Sequence, residues 1–202
     1  MTFLTLARGI AVSVVVVVVG CGEGEQPANG QGTGYSRADW STVSDPAHGY
    51  SVSFPSSWQI ATEQLSRISE PRELFSVGTV ALRWQPTNCD AFAGAGGVGM
   101  GSNDVVVTVW ERRGDRDSAW SDFPPRPEGF APVEEAEPAG PGCGEPRGTM
   151  IHWRNFSDSG RHFHTLVRKG PEATRQAAAE AWGILDSLRP DAGYRPSWPA
   201  TG

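Results

Sequence analysis

The sequence predicts an α+β domain in which a mainly antiparallel sheet is covered by helices. Short segments of alternating apolar and polar residues follow one another through short turns, and strands connected in this way usually pair in antiparallel order. Near the carboxyl end, one apolar stripe has the spacing of an amphipathic helix, which must bury that stripe against another layer. These two observations define the expected fold class.

The first strands are predicted on both sides of Pro55. Residues 50–54 alternate apolar and polar side chains after a turn cluster at 45–49, and the alternation resumes at 58–61. Because only a proline and two serines stand between them, we expect 50–54 and 58–61 to form a hairpin-like pair.

The next segment is expected to hold a short helix and then a strand. Leu65 and Ile68 are three residues apart, which favours one or two helical turns that end before Pro71. Residues 74–84 are rich in apolar residues and predict a strand that is interrupted at Gly78.

The second half of the chain contains the clearest strands. Residues 105–110 are almost entirely β-branched, which is typical of a central strand. Residues 114–148 are rich in Pro, Gly and Glu and indicate a long surface excursion. Residues 150–156 and 161–168 lie on either side of Ser-Asp-Ser-Gly, which predicts a hairpin.

The last predicted element is an amphipathic helix. Pro171 suits the first helical turn, and Pro190 cannot continue a helix. One face between these prolines collects the apolar side chains Ala173, Ala177, Ala178, Ala181, Trp182, Leu185 and Leu188. We expect this face to pack on the sheet.

The amino terminus predicts export and attachment to a membrane. Residues 10–19 are apolar except for Ser13. This run is too short for a membrane-spanning helix, which needs about 20 apolar residues, and has the length of the apolar core of a signal peptide. The following Val18-Val19-Gly20-Cys21 resembles the lipobox of bacterial lipoproteins. That resemblance implies removal of residues 1–20 and acylation of Cys21, with palmitate among the fatty chains. A plain secretory signal and an uncleaved membrane anchor are the alternatives.

Four regions are therefore expected along the chain. Residues 1–20 are the signal peptide, and residues 21–42 form a flexible tether rich in Gly, Glu and Gln. Residues 43–190 form a single α+β domain, and residues 191–202 form a loose tail. The protein is expected on the outer face of the cytoplasmic membrane, held there by lipid.

The charge of the chain excludes one class of partner. The whole sequence has 17 Lys and Arg against 23 Asp and Glu, a net charge of −6. Removing residues 1–20 takes away one basic residue, Arg8, so the mature chain carries 16 basic and 23 acidic groups and a net charge of −7. Such a chain lacks the basic surface that nucleic acid requires, so we expect no nucleic-acid partner.

The three cysteines, Cys21, Cys89 and Cys143, make an odd number for an exported protein. Lipidation of Cys21 removes one thiol and leaves a pair that is expected to form a disulfide outside the cytosol. Bonding of Cys89 to Cys143 would close a loop of 54 residues. A reactive thiol or a metal site is the alternative, although neither cysteine has a partner at metal-ligand spacing.

Two stretches together resemble the Mog1/PsbP-like proteins. Residues 49–58 resemble the opening strand, proline and tryptophan of that group, and residues 181–188 resemble its closing helix. With residues 71–79 and 160–163, the chain resembles exported proteins of high-GC Gram-positive bacteria. The resemblance implies an α/β/α sandwich, with an antiparallel sheet between helices, and a binding or accessory role.

Three histidines of the predicted hairpin are candidate metal ligands. His162 and His164 are two residues apart and share one face of a strand. His152 joins that face only if the turn is one residue longer or shorter than a register that pairs Phe156 with Arg161. No acid is close in sequence to complete a ligand set, so we interpret all three as ordinary strand histidines and expect no metal and no cofactor.

The expected function is non-catalytic. The sequence has no Gly-x-Ser-x-Gly nucleophile elbow, and the acidic pairs of residues 134–137 fall in the Pro-rich excursion. We therefore expect a lipid-anchored extracytoplasmic domain with a binding or accessory role, whose partners are the membrane and another envelope protein. A His-x-His metal carrier is the first alternative, and an envelope hydrolase is the second.

Overall fold

The computed structural model describes residues 39–66, 68–84, 99–113, 123–132, 136–139, 144–195 and 197. Nine strands and one helix lie in these ranges. In chain order they are β1 (Trp40–Asp45), β2 (Tyr50–Pro55), β3 (Gln59–Ile60), β4 (Arg72–Gly78), β5 (Val105–Arg112), β6 (Glu137–Pro138), β7 (Met150–Asp158), β8 (Arg161–Lys169), α1 (Arg175–Ser187) and β9 (Arg189–Pro190).

The strands form two antiparallel sheets. The larger sheet has six strands in the order β3-β4-β5-β8-β7-β6, and the smaller has three in the order β1-β2-β9. The helix α1 packs mainly against β2 and also against β5, so it lies with the small sheet on one face of the large one.

The predicted fold class is wrong. Within the described residues there is a single helix of 13 residues, and two antiparallel sheets account for the other regular elements. The expected helix at 62–68 is absent from the described residues 62–66 and 68. Leu65 instead packs with Leu82, Met100 and Val106 against the face of the large sheet that α1 does not cover. This is a β-rich fold, not the helix-covered α/β/α sandwich of the Mog1/PsbP-like proteins.

The first predicted hairpin is also wrong. Residues 50–54 belong to β2, which pairs with β1 and β9 in the small sheet. Residues 59–60 form β3, which pairs with β4 in the large sheet. A hydrogen bond from the Trp58 amide to the Pro55 carbonyl (2.9 Å) closes the turn between β2 and β3. The chain therefore passes from one sheet to the other at this proline.

The central strand and the second hairpin are confirmed. β5 lies between β4 and β8, and Val105, Val106, Val107 and Val109 are fully buried. β7 and β8 pair along their full length through a two-residue turn, Ser159-Gly160. Both turn residues have positive φ, 53° and 73°, which matches the twist that two-residue hairpins require.

The main core lies between the large sheet on one side and β2 with α1 on the other. Its members are apolar and mostly aromatic or branched. They include Val52 and Phe54 from β2, Val107 and Val109 from β5, Phe163 and Val167 from β8, and Ile184, Leu185 and Leu188 from the carboxyl end of α1. The alternation of β2 and β8 thus directs one set of side chains into this layer.

The helix α1 begins where its sequence permits a cap. Thr174 has extended backbone angles, and its side-chain oxygen accepts a hydrogen bond from the Ala177 amide (3.0 Å). No basic residue lies in the last turn of the helix itself. Besides Arg189, which follows the C-cap, a cation from another part of the chain binds the carboxyl end of the helix.

Arg126 supplies that cation. Its guanidinium donates to the carbonyls of Leu188 (2.8 Å) and Leu185 (2.7 Å), and it pairs with Asp158 at 3.1 Å. It also lies over the rings of Phe130 and Phe156, at 5.4 and 5.5 Å from their centroids. Part of the Pro-rich segment is therefore fixed to the body of the domain at the end of α1.

The ends of the domain extend beyond the bounds expected from the sequence. β1 begins at Trp40, inside the segment expected as a tether, and Val43 packs with Trp40 against the main core. In the segment expected as a loose tail, the Tyr194 hydroxyl donates to the Ala47 carbonyl (2.7 Å). In the part of the chain described, no helix is long and apolar enough to cross a membrane.

We predict that Arg126→Ala lowers the free energy of unfolding by about 2–3 kcal/mol, because it leaves the buried Leu185 carbonyl without a cationic donor and the Asp158 carboxylate without its partner. The matched control is Arg189→Ala, since Arg189 also donates to the carbonyls of Asp186 (2.5 Å) and Leu188 (2.9 Å) but is exposed. Its loss is expected to stay below about 1 kcal/mol. Urea unfolding followed by circular dichroism measures both, and equal losses would contradict the role of Arg126.

Candidate binding cleft

A cleft of about 350 Å³ lies between the small sheet and the start of the large one. One wall is the turn that joins β1 to β2, and the other is the segment of residues 61–64 that follows β3. Residues 73–76 of β4 form the base. The cleft exists because the chain changes sheets between β2 and β3. The β1–β2 pair then lies beside the β3–β4 pair, but the two pairs belong to different sheets.

The turn at the cleft wall is built around Asp45 and His48. One carboxylate oxygen of Asp45 accepts from the His48 amide (3.1 Å), and the other accepts from the His48 Nδ1–H (2.7 Å). Burial raises the pKa of the Asp45 carboxyl, but the hydrogen bonds and charge of His48 outweigh this effect and lower it below its usual value. Asp45 is therefore held as a carboxylate beside the cleft.

The base of the cleft is aromatic. The rings of Tyr50 and Phe75 are 5.5 Å apart between centroids and inclined by 30°, and both residues are almost fully buried. The Tyr50 hydroxyl donates to the Leu74 carbonyl (2.8 Å). Burial, followed by the charges of Asp45 and Glu73, raises the pKa of the Tyr50 phenol well above its ordinary value. This phenol is therefore a neutral donor in a region of negative potential.

The carboxylate of Glu73 is also fixed by the protein. It accepts from the Ser66 amide (2.6 Å) and from the Ser76 hydroxyl (2.7 Å), and the residue is 3% exposed. The hydroxyl oxygens of Ser76 and Thr108, on β5, are 3.0 Å apart. The guanidinium of Arg168, on β8, donates to the Thr108 hydroxyl (3.4 Å). This chain of polar groups runs across three strands of the large sheet and positions the carboxylate.

The wall formed by the β1–β2 turn is held by a buried ion cluster. Glu111 on β5 accepts from Arg72 on β4 (2.5 Å) and from Arg161 on β8 (2.6 Å). Arg161 then donates to the carbonyls of Gly49 and His48, the latter at 2.9 Å. The guanidinium of Arg161 thus ties the turn of the small sheet to three strands of the large one.

The aromatic ring of Tyr194 covers the other side of Arg161, with 4.9 Å between the guanidinium carbon and the ring centroid. A side chain at Gly49 would meet the Tyr194 ring at 2.1 Å, and Gly49 has a positive φ of 59°. Glycine is therefore required at this point of the turn for both space and backbone conformation.

The structure separates the three candidate histidines. His162 and His164 share a face, and both present their rings to the edge of Phe123, with 5.5 and 4.8 Å between centroids. His152 pairs with Val167 and lies on the opposite face, where its ring contacts Trp182. The turn is two residues shorter than the expected loop, and an even change of register leaves the faces unchanged.

His164 is a buried, neutral histidine. Its Nδ1–H donates to the Asn155 amide oxygen (2.6 Å), and burial together with the nearby charge of Arg112 lowers its pKa to about 4. Across the described ranges, no group of three or more His, Cys, Asp or Glu side chains is arranged to hold a metal ion. Cys21, Cys89 and Cys143 lie outside the described residues.

Sequence reasoning missed the cleft. It identified residues 45–49 as a turn but singled out the hairpin histidines and passed over His48. One local signal was available, because an Asp followed three residues later by a histidine within a Pro- and Gly-containing turn favours a side-chain hydrogen bond of this kind. The other wall of the cleft depends on the pairing of β3 with β4, which no local pattern indicates.

Comparison with known proteins adds no relative to this picture. No model of a protein family matches the chain. A search of curated proteins also finds no match.

We predict that the domain loses stability as the pH falls from about 6.5 to about 4, and that part of this loss belongs to His164. Above pH 6.5 this histidine is neutral in both states; below it, the unfolded chain takes up a proton that the folded state resists down to about pH 4. The contribution is on the order of 2 kcal/mol after allowance for solvent screening. His164→Asn is expected to flatten the profile of unfolding free energy against pH in this window.

Chemical unfolding at closely spaced pH values provides the measurement for His164. The neighbouring His162 gives the matched control, because it is half-buried on the same strand and touches the same Phe123 ring. His162→Asn should keep the steep profile of the wild type. An unchanged slope in His164→Asn would contradict the assignment.

Proposed function

We propose that this protein is a lipid-anchored, extracytoplasmic domain with a non-catalytic binding or accessory role. Its mature chain begins at Cys21, which carries the lipid, and residues 1–20 are removed. The observation that supports the binding role is the cleft between the two sheets, which combines an aromatic base with acidic and other polar residues along its walls. The partner is a small ligand or another protein of the envelope.

The cleft suits binding because its walls are held in place. The Arg72–Glu111–Arg161 cluster fixes one wall, and the β3–β4 pairing fixes the other. A site that is preformed loses little conformational entropy when a ligand enters. The cleft can therefore bind without the domain first rearranging.

The lipid supports the same role by setting the location. An acidic chain gains nothing from the anionic surface of a membrane, so a covalent anchor is the means by which it would stay there. Two acyl chains give stable attachment, whereas one gives reversible attachment. We propose that Cys89 and Cys143 form a disulfide in this compartment, which would stabilise the domain by about 4 kcal/mol on the loop-entropy model.

We predict that metabolic labelling with a radioactive fatty acid marks the wild-type protein in its native host and that Cys21→Ala abolishes the label, because the modified sulfur is gone. Fluorography of the immunoprecipitated protein measures both. Cys89→Ser is the control, since it should keep the label. Thiol titration of the mature wild type is expected to find no free thiol before reduction. Label on Cys21→Ala would contradict the anchor.

We predict that a photo-crosslinking residue at position 62 captures the bound partner in intact cells. Thr62 lines the cleft and is exposed, so Thr62→p-benzoylphenylalanine places the reactive group at the rim. Arg154→p-benzoylphenylalanine is the matched control, because Arg154 is exposed but is not part of the lining. Mass spectrometry of the irradiated, purified protein is expected to show an adduct at position 62 alone. Equal adducts at both positions, or none at position 62, would contradict a binding role for the cleft.

A further inference from the structure

We propose that the cleft takes a small organic cation, an ammonium or guanidinium group carried on an apolar body. This inference rests on the proposed binding role and assigns the chemical class of the ligand. It follows from the charges that surround the cleft and from the division of its lining into an apolar base and a polar rim.

The apolar part of the lining defines where the body of the ligand lies. Tyr50 and Phe75 form the base, and Val43 and Ile60 extend it toward the two walls. Val43 and Ile60 are half-buried, so they retain apolar surface that a ligand can cover. Burial of such surface favours binding and does not depend on the charge of the ligand.

The polar part of the lining carries charge of one sign. Among the described residues that line the cleft, three are carboxylic acids, Asp45, Glu63 and Glu73, and none is a lysine or an arginine. Asp45 and Glu73 both raise the pKa of the Tyr50 phenol at the base, which is an effect of negative potential at that point. A cation is therefore stabilised in the cleft and an anion is repelled.

Charged groups behind the lining do not reverse this sign. Arg72 and Arg161 both pair with Glu111, and on the far side of Glu73 the guanidinium of Arg168 pairs with Glu145. The last pair is neutral as a whole. Among the described residues, two arginines and four carboxylates then remain around the cleft, which leaves two net negative charges. With or without a charge on His48, this sum stays negative.

Glu63 is the carboxylate that is available to the ligand. Asp45 is bonded to His48, and Glu73 is bonded to Ser66 and Ser76. Glu63 is exposed at the rim and has no hydrogen bond or ion pair with the residues that the structure describes. Its oxygens can accept from an ammonium or guanidinium whose apolar body lies on Val43 and Ile60 above the aromatic base.

Three probes of similar size and different charge test the ligand class: 2-phenylethylamine, 2-phenylethanol and phenylacetate. Amide chemical shifts of the isotope-labelled mature domain, recorded during titration at pH 7.5, give the affinity of each probe and show where it binds. The amine is expected to bind at least about tenfold more tightly than phenylacetate, with shifts in residues 43–50 and 60–64. High salt should weaken the amine and leave the alcohol unchanged.

Two charge-neutralising variants give the matched comparison. Glu63→Gln is expected to weaken the amine about threefold and leave the alcohol unchanged, because the new amide keeps the size of the side chain. Glu128→Gln removes an exposed carboxylate outside the lining and should change neither probe. Glu63 is exposed and has no hydrogen bond or ion pair with the described residues, so its replacement is not expected to unfold the domain.

The outcomes separate the ligand class from the binding role. Preferred binding of the amine, reduced in Glu63→Gln alone, supports the inference. Equal or tighter binding of the alcohol or of phenylacetate in the cleft overturns the cation and leaves the binding role intact. Shifts outside the cleft, or no binding of any probe, also overturn the inference, and the adduct at position 62 then decides the binding role separately.

Discussion

The contact on which the arrangement of the domain depends is the carboxylate of Glu111 between two arginines. Arg72, Glu111 and Arg161 come from three adjacent strands of the large sheet, and Glu111 and the Arg161 side chain are almost fully buried. Arg161 then donates to two carbonyls of the β1–β2 turn. Removing one member of such a cluster leaves a buried charge without a partner and lowers the free energy of unfolding by about 3–5 kcal/mol. The two sheets are therefore held in one relative position by geometry that apolar packing alone does not specify.

The opposite face of the large sheet uses polar groups in a similar way. Glu73, Ser76, Thr108 and Arg168 lie side by side on β4, β5 and β8, and hydrogen bonds join each to the next. The same face also carries an apolar cluster around Leu65 and a second one around Trp110. A sheet whose faces are closed by irregular chain needs such directional contacts, because a loop has no stripe of apolar side chains to place on the strands. The result is a β-rich domain in which polar groups fix both faces of the large sheet.

Local pattern predicted the elements whose apolar residues all point into one layer. β5 was found from its run of valines, the β7–β8 hairpin from two alternating segments around Ser159-Gly160, and α1 from its apolar stripe. β1 was missed because it is an edge strand on which only Trp40 and Val43 pack against the core, so four of its six positions carry no apolar signal. The partition into two sheets was missed because contacts between residues distant in sequence decide which strands pair. Proximity along the chain wrongly favoured a hairpin between residues 50–54 and 58–61.

The same reasoning explains what could be known of the candidate site. Period-two alternation correctly placed His162 and His164 on one face, while the side of His152 depended on the length of the turn. The cleft needs Asp45 from the small sheet and Glu73 from the large one, and no spacing in the sequence relates them. The ionisation and hydrogen bonding of these two carboxyl groups also indicate which chemistry the cleft suits. General acid–base catalysis uses a group whose pKa lies near the working pH, whereas the pKa of Asp45 is lowered and Glu73 is bound by two protein donors. A carboxylate that is held ionised, such as that of Asp45, supplies a constant negative field, and such a field suits the proposed recognition of a cation.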